Sequence, residues 1–150
     1  MATIDEATGF IRQFITSVGV DPATCYNEQN KAWYLNKGSA SIEIFLSSHP
    51  QPNGTTRNFL RVFSPIMQIP ADNREHFYRR LLELNDQSLG VKFTIMPSSD
   101  KVYTTFERDI DGLDATETAT CISDLGLWSD YLDDILKNEF PVPGAAAPKA

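Results

Sequence analysis

Apolar residues recur at helical spacing near the start of the chain. Thr3 and Glu6 form a capping-box pattern, in which the hydroxyl and the carboxylate satisfy the first free backbone N–H groups of a helix. Gly19 suits the left-handed position that ends a helix. The residues that follow the 3.6-residue period are Ile4, Ala7, Ile11, Phe14, Ile15 and Val18. The pattern predicts a first helix between Thr3 and Gly19, followed by a polar loop over residues 20–30.

Two further segments carry the same period. Asp72 is the expected N-cap of a second helix, with Glu75 three residues on. Its apolar stripe comprises Phe77, Leu81 and Leu84, widened by Tyr78 and Leu82. Asp114 and Glu117 begin a third helix. Its stripe comprises Ile122, Leu125, Trp128, Leu132 and Ile135. Gly126 lies inside that stripe and predicts a kink or a close contact, because glycine is unfavourable within a helix.

Strand patterns lie between these helices. Alternation is clearest over residues 39–47, where Ala40, Ile42, Ile44 and Leu46 form one apolar face. Pro65 cannot donate to a ladder, so an edge, a bulge or a bend is expected there. The predicted strands are residues 32–35, 39–47, 58–69, 91–96 and 102–108. Short connections imply antiparallel pairing. The fold class is therefore α+β, a mainly antiparallel five-stranded sheet with three helices in the order α-β-β-β-α-β-β-α.

Length and composition limit the number of domains and the classes of partner that the protein can have. A chain of 150 residues suits one domain, which we place at residues 1–140, with a disordered Pro/Ala-rich tail at 141–150. The net charge of -7 disfavours nucleic acid and anionic membrane surfaces. The start of the chain does not resemble a signal peptide, and no apolar run predicts a membrane helix. We therefore expect a cytoplasmic protein without membrane insertion, in which Cys25 and Cys121 are reduced thiols.

Residues that could carry chemistry are few and scattered. His49 and His76 are far apart, and no phosphate loop, nucleophile elbow or zinc motif is present. The acidic turn at residues 109–114 superficially resembles a calcium loop. Its glycine comes too early, however, and Thr118 stands where the last carboxylate ligand belongs. The sequence predicts no enzyme, no metal and no cofactor. A regulatory protein that responds to an ion or a small molecule remains the alternative to a binding module.

The strongest pointer to binding is the strand at residues 57–67. Leu60, Val62 and Ile66 form one face, and the other face is also largely apolar. A sheet with helices on one side needs only one apolar face, so the second face must meet another helix, a partner subunit or a ligand. Aromatic residues with an arginine among them favour a protein interface. The candidate partner-binding residues are Trp33, Phe45, Phe59, Arg61, Phe63 and Met67.

The element order and several segments resemble the YbjN family, which is related in fold to the type III secretion chaperones of the CesT/Tir kind. The resemblance covers roughly residues 3–139. It is carried by residues 60–70, by the helix at 77–85, by the strand patterns at 92–95 and 102–107, and by Asp130-Tyr131 in the last helix.

That resemblance implies a compact homodimer with a peptide-binding, chaperone-like or regulatory role. An extended partner segment would lie along the sheet or the helix grooves. Together with the absence of catalytic motifs, it favours a non-enzymatic module that binds a protein or peptide partner. Nothing in the residues identifies a secretion apparatus.

Overall fold

The computed structural model describes residues 2–141, which form three helices and six strands. The helices are α1 (Ile4–Ser17), α2 (Arg74–Gln87) and α3 (Ala115–Glu139). The strands are β1 (Tyr26–Asn27), β2 (Ala32–Lys37), β3 (Ala40–Pro50), β4 (Thr56–Gln68), β5 (Lys92–Ile95) and β6 (Lys101–Asp109). The predicted tail at 141–150 lies outside the described residues except for Pro141.

Both ends of α1 have the predicted capping. The Thr3 N–H donates to the Glu6 carboxylate at 2.8 Å, and the Glu6 N–H donates to Thr3 Oγ1 at 3.2 Å. Gly19 has a φ of 83°, and its N–H donates to the Thr16 carbonyl at 3.0 Å. The Val20 N–H donates to the Ile15 carbonyl at 3.2 Å, which completes a Schellman motif.

The starts of the other two helices differ from one another. Asp114 caps α3 as predicted, since its side chain accepts from the Glu117 N–H at 2.8 Å. The prediction of Asp72 as the N-cap of α2 is wrong. Asn73 occupies that position with a left-handed φ of 58° and makes no side-chain capping bond. Asparagine adopts this conformation more readily than most residues.

The strands form one antiparallel sheet in the order β1-β2-β3-β4-β6-β5. The α+β class and the order of the predicted elements are confirmed, but the sheet has six strands and not five. The additional strand, β1, lies in the segment predicted as a loop. It contains only two residues, too few to show alternation, and pairs Tyr26 with Trp33.

Pro65 lies at a bulge in β4, which is a central strand. Ser64 lies opposite Thr104 on β6, whereas Met67 lies opposite Val102. Between these two pairs, the single residue Tyr103 of β6 is matched by Pro65 and Ile66 of β4, so the alternation of side chains inverts. Met67 consequently lies on the same face as Ser64. The prediction that Met67 shares a face with Phe63 is wrong for this reason.

All three helices pack on one face of the sheet. Side chains of α1 and of the first half of α3 pack on Ile44 and Val62, while α2 and the second half of α3 pack on Met67 and Phe93. Trp33 is 5% exposed and belongs to the first of these two clusters. Its predicted place beside Phe45 on the other face is therefore wrong. Within residues 2–141, neither core cluster includes a residue of the opposite face, which we call the outer face.

Candidate functional site

Four of the six predicted binding residues lie together on the outer face. We call Phe45, Phe59, Arg61 and Phe63 the outer patch. The strand register brings them together, because Phe45 on β3 lies directly opposite Arg61 on β4, and Arg61 lies opposite Glu107 on β6. Side chains that are directly opposite in an antiparallel pair share a face and contact one another. The sheet itself therefore builds the patch, without any loop.

Arg61 is at the centre of the outer patch. Its guanidinium carbon lies 4.7 Å from the centre of the Phe63 ring and 5.4 Å from that of Phe45. One terminal nitrogen lies 3.0 Å from the Glu107 carboxylate. The arginine is thus held by two aromatic rings and one anion, and its planar head covers apolar surface. Its Nε is buried and has no hydrogen-bond acceptor within residues 2–141.

The aromatic rings of the patch also contact each other. Phe45 and Phe63 meet edge to face with centroids 5.2 Å apart, and Tyr103 on β6 lies 6.4 Å from Phe63. Phe63 is only 5% exposed, because its neighbours cover it. Phe45, Phe59 and Tyr103 are half-buried. The sequence analysis missed Tyr103, although the alternation of β6 could have placed it on this face.

At the other end of the patch, Phe59 contacts a histidine and a second arginine. The His49 ring lies 5.8 Å away, and the Arg57 guanidinium carbon lies 5.5 Å from the Phe59 ring centre. Arg57 also forms an ion pair with Asp109. The pKa of Asp109 is lowered, first by the hydrogen bond from the Asp111 N–H and then by Arg57. His49 accepts from or donates to Ser47 at 2.9 Å. Within residues 2–141, no carboxylate bonds to the other ring nitrogen of His49, so this pair lacks the third member of a catalytic triad.

The acidic turn at 109–114 uses its carboxylates for structure. Asp109 accepts from the Asp111 N–H at 2.7 Å, and Asp114 caps α3. Within residues 2–141, no three His, Cys, Asp or Glu side chains form a group that could hold a metal ion. The turn therefore has the geometry expected of capping and turn formation.

The two cysteines are not bonded to each other. Cys121 is buried on α3, and burial raises the pKa of its thiol to about 11. Burial also raises the pKa of the half-buried Cys25 thiol. Raised values disfavour the reactive thiolate.

A second exposed surface was not predicted. It lies on α2 and near β5, where Leu82 is 69% exposed and Leu89 is 80% exposed. Tyr78 and Ile95 add to it. The only signal in the sequence was the width of the apolar stripe on α2, which exceeds what one buried face needs. We call Tyr78, Leu82, Leu89 and Ile95 the α2–β5 surface.

Comparison with known proteins identifies the family. The family model YbjN, described as "Putative bacterial sensory transduction regulator", matches residues 10–135. Because the match covers most of the chain, the protein belongs to the YbjN family, as the sequence resemblance predicted. No curated protein sequence matches the chain.

The fold is also similar to that of a chain in the crystal structure of the ExsC-ExsE complex. The TM-score is 0.65 at 12% sequence identity, and the similarity covers 91% of this chain and 97% of the other. This similarity agrees with the predicted α+β fold class and element order. None of the helices within residues 2–141 has both the length and the apolar character needed to cross a membrane.

Proposed function

We propose that the protein is a non-enzymatic, chaperone-like or regulatory adaptor that binds a segment of another protein on its outer patch. It acts in the cytoplasm as a homodimer. The observation that carries the proposal is the outer face itself, where aromatic rings and Arg61 lie together although all three helices pack on the opposite side.

The composition of the patch supports a protein partner. Phenylalanine, tyrosine and arginine are enriched at the cores of protein interfaces, and an arginine or tyrosine near the centre often contributes much of the binding energy. Here Arg61 pairs with Glu107 beside the centre of the patch, and Arg57 pairs with Asp109 at the rim. A partner segment that places an apolar side chain on the aromatic rings and polar groups beside the ion pairs would complement the patch. Similarity to a chain from the ExsC-ExsE complex supports the same class of role, since that structure is a complex of proteins.

The α2–β5 surface supports the dimer. Leu82 and Leu89 are large, mostly exposed apolar side chains, and such residues cluster where a monomer meets a partner. A second copy would bring the same surface in a two-fold arrangement, which is the commonest oligomer symmetry. This leaves the outer patch free for another protein, because the patch lies on a different side of the sheet.

Capture and reconstitution test the adaptor role. Proteins from the native cell extract are captured on the wild type, on Phe59→Ser and on Tyr131→Ser. Tyr131 is 58% exposed on α3 and serves as the matched aromatic control. A true partner is retained by the wild type and by Tyr131→Ser and is lost with Phe59→Ser. The partner is then purified, and its direct binding is measured by calorimetry.

The result that would overturn the adaptor role is equal recovery on Phe59→Ser and the wild type, or no direct binding by any recovered protein. The dimer is tested separately by light scattering of the purified protein. Leu82→Asp should yield a monomer, whereas Gln87→Asp, which adds the same charge on the same helix, should leave a dimer. A wild-type monomer would contradict the dimer and leave the partner experiment intact.

A further inference from the structure

A cleft separate from the outer patch lies between the end of α1, the β2–β3 hairpin and the middle of α3. It encloses about 430 Å³, which is within the roughly 300–1,000 Å³ of small-molecule sites. Its walls are mostly apolar. They include Phe14, Leu35, Ile42, Ile122 and Leu127. Leu127 lines the cleft and is 63% exposed, so a large apolar side chain is open to solvent there.

Gly126 forms part of the cleft wall. A Cβ at this position would lie 3.0 Å from Ile42 Cδ1 and 3.1 Å from Lys37 Cγ. The glycine therefore lets α3 approach the hairpin closely, as the sequence predicted. The Lys37 stem lies against α3 at this point.

One stretch of backbone at the cleft has no strand partner. The Tyr34 N–H points to the sheet edge and donates to the Cys25 carbonyl at 2.9 Å. Alternation along an antiparallel strand places the N–H and the carbonyl of Asn36 on this same edge. However, β1 pairs only with Ala32 and Trp33. Within residues 2–141, no loop or turn backbone bonds to Asn36. The cleft therefore presents one donor and one acceptor beside an apolar wall.

Charges at the rim are balanced. Lys37 and Asp124 both line the cleft, and neither forms an ion pair within residues 2–141. A charged ligand head would be attracted by one of them and repelled by the other, while an uncharged head that both donates and accepts would suit the pair. The net charge of -7 further disfavours an anionic ligand.

We propose that this cleft binds a small amphiphile with an apolar chain and an uncharged primary-amide head, whose carbonyl and syn N–H point the same way. The chain occupies the apolar wall, and the amide pairs with the free N–H and carbonyl of Asn36. An extended polypeptide is disfavoured because, in the described part of β2, Asn36 alone has both edge-facing backbone groups without a partner, which is too short for a strand ladder. The inference does not depend on the outer patch.

Binding is tested by calorimetry on the purified full chain with three probes of equal chain length, each below its micelle concentration. The probes are decanamide, decanoate and decylammonium. The amide should bind at least about tenfold more tightly than either ion, corresponding to the loss of a paired polar contact. Equal affinity for all three heads, or no binding of the amide, would overturn the proposal.

Two substitutions at Asn36 distinguish ligand binding by its backbone from ligand binding by its side chain. Asn36→Pro removes only an edge-facing N–H, a position where proline is tolerated in a strand. It should weaken the amide about tenfold, whereas Asn36→Ala, which keeps the N–H, should bind as the wild type does. If both variants lose binding equally, the side chain and not the backbone is the ligand, and the proposed pairing is wrong.

Occupancy of the cleft is tested with Ser123→Trp, which places a bulky ring at an exposed wall position. This variant should abolish amide binding. Asn138→Trp, on an exposed site further along α3, should not change it. Thermal unfolding of each variant establishes that it is folded. Retained binding by Ser123→Trp would show that the amphiphile binds elsewhere and would overturn the assignment to this cleft.

Discussion

The side-chain amide of Asn85 pairs with both backbone groups of Phe93. Its oxygen accepts from the Phe93 N–H at 2.6 Å, and its nitrogen donates to the Phe93 carbonyl at 3.3 Å. Asn85 lies on α2, whereas Phe93 lies on β5, the last strand of the sheet. The asparagine thus occupies the place of a neighbouring strand. It closes one edge of the sheet, and unpaired edges favour association with other chains.

Asn85→Ala should therefore destabilise the protein by about 1–3 kcal/mol, because the two backbone groups lose their partner. Urea unfolding measures this loss. Asn138→Ala is the control, since it makes the same change at an exposed helical position and should stay within about 0.5 kcal/mol of the wild type. Equal stabilities of the two variants would show that the Asn85 pairing contributes little.

Simple alternation would place Phe59 and Met67 on the same face of the sheet, but the bulge at Pro65 places them on opposite faces. Their substitutions should therefore have different effects on stability. Met67→Ala should cost about 2–5 kcal/mol, because it opens a cavity in the helix-covered core. Phe59→Ala should cost about 1 kcal/mol, because Phe59 is half-buried on the outer face. Denaturant unfolding of both variants checks the order. A larger cost for Phe59→Ala would mean that the outer face is part of the core.

Much of this fold follows from local chemistry. Thr3 with Glu6, Gly19 and Asp114 are short-range signals, and each was predicted correctly because the sequence neighbours that make the bonds are visible. Trp33 and Met67 were misplaced for a different reason. Their faces depend on pairing with distant strands, through the register with Ile44 and through the bulge opposite Val102. Neither can be read from periodicity within one strand.

The outer patch was predicted only in part, because some of its residues are set by local alternation and others by strand pairing. Phe45, Phe59, Arg61 and Phe63 keep simple alternation before the bulge, so their shared face was visible in the sequence. Tyr103 required knowledge that β6 pairs with β4. The α2–β5 surface depends on which side of α2 is left uncovered, and that is set by tertiary packing.

The burial of the Asp133 carboxyl leads us to expect a specific dependence of stability on pH. It is 8% exposed on α3, and burial raises the pKa of its carboxyl, while Lys137 opposes the shift. A raised pKa in the folded state means that the folded protein binds the proton more readily than the unfolded one. Stability therefore rises as pH falls through the folded pKa toward the ordinary carboxyl value of about 3.9.

Relative to Asp133→Asn, the wild type should gain stability between pH 7 and pH 4. The measurement is a series of urea unfolding curves, with Asp86→Asn on α2 as an exposed control. A constant difference between the wild type and Asp133→Asn across that range would show that the Asp133 carboxyl titrates alike in both states.

The thiols should differ in accessibility. Because Cys121 is buried and its pKa is about 11, the Cys25→Ser variant should react with Ellman's reagent only as fast as the protein unfolds. The Cys121→Ser variant should react faster, since Cys25 is half-buried. Both should react at once in denaturant. Rapid reaction of folded Cys25→Ser would place Cys121 at the surface.

The central claim is that the outer patch binds a protein partner, and calorimetry with the purified partner tests it most directly. Arg61→Ala removes the side chain that contacts Phe45, Phe63 and Glu107. Arg12→Ala, on the exposed side of α1, is the matched control. The account predicts that Arg61→Ala weakens binding at least about tenfold, as expected for an arginine at an interface centre, while Arg12→Ala binds as the wild type does. Unchanged affinity of a folded Arg61→Ala protein would contradict it.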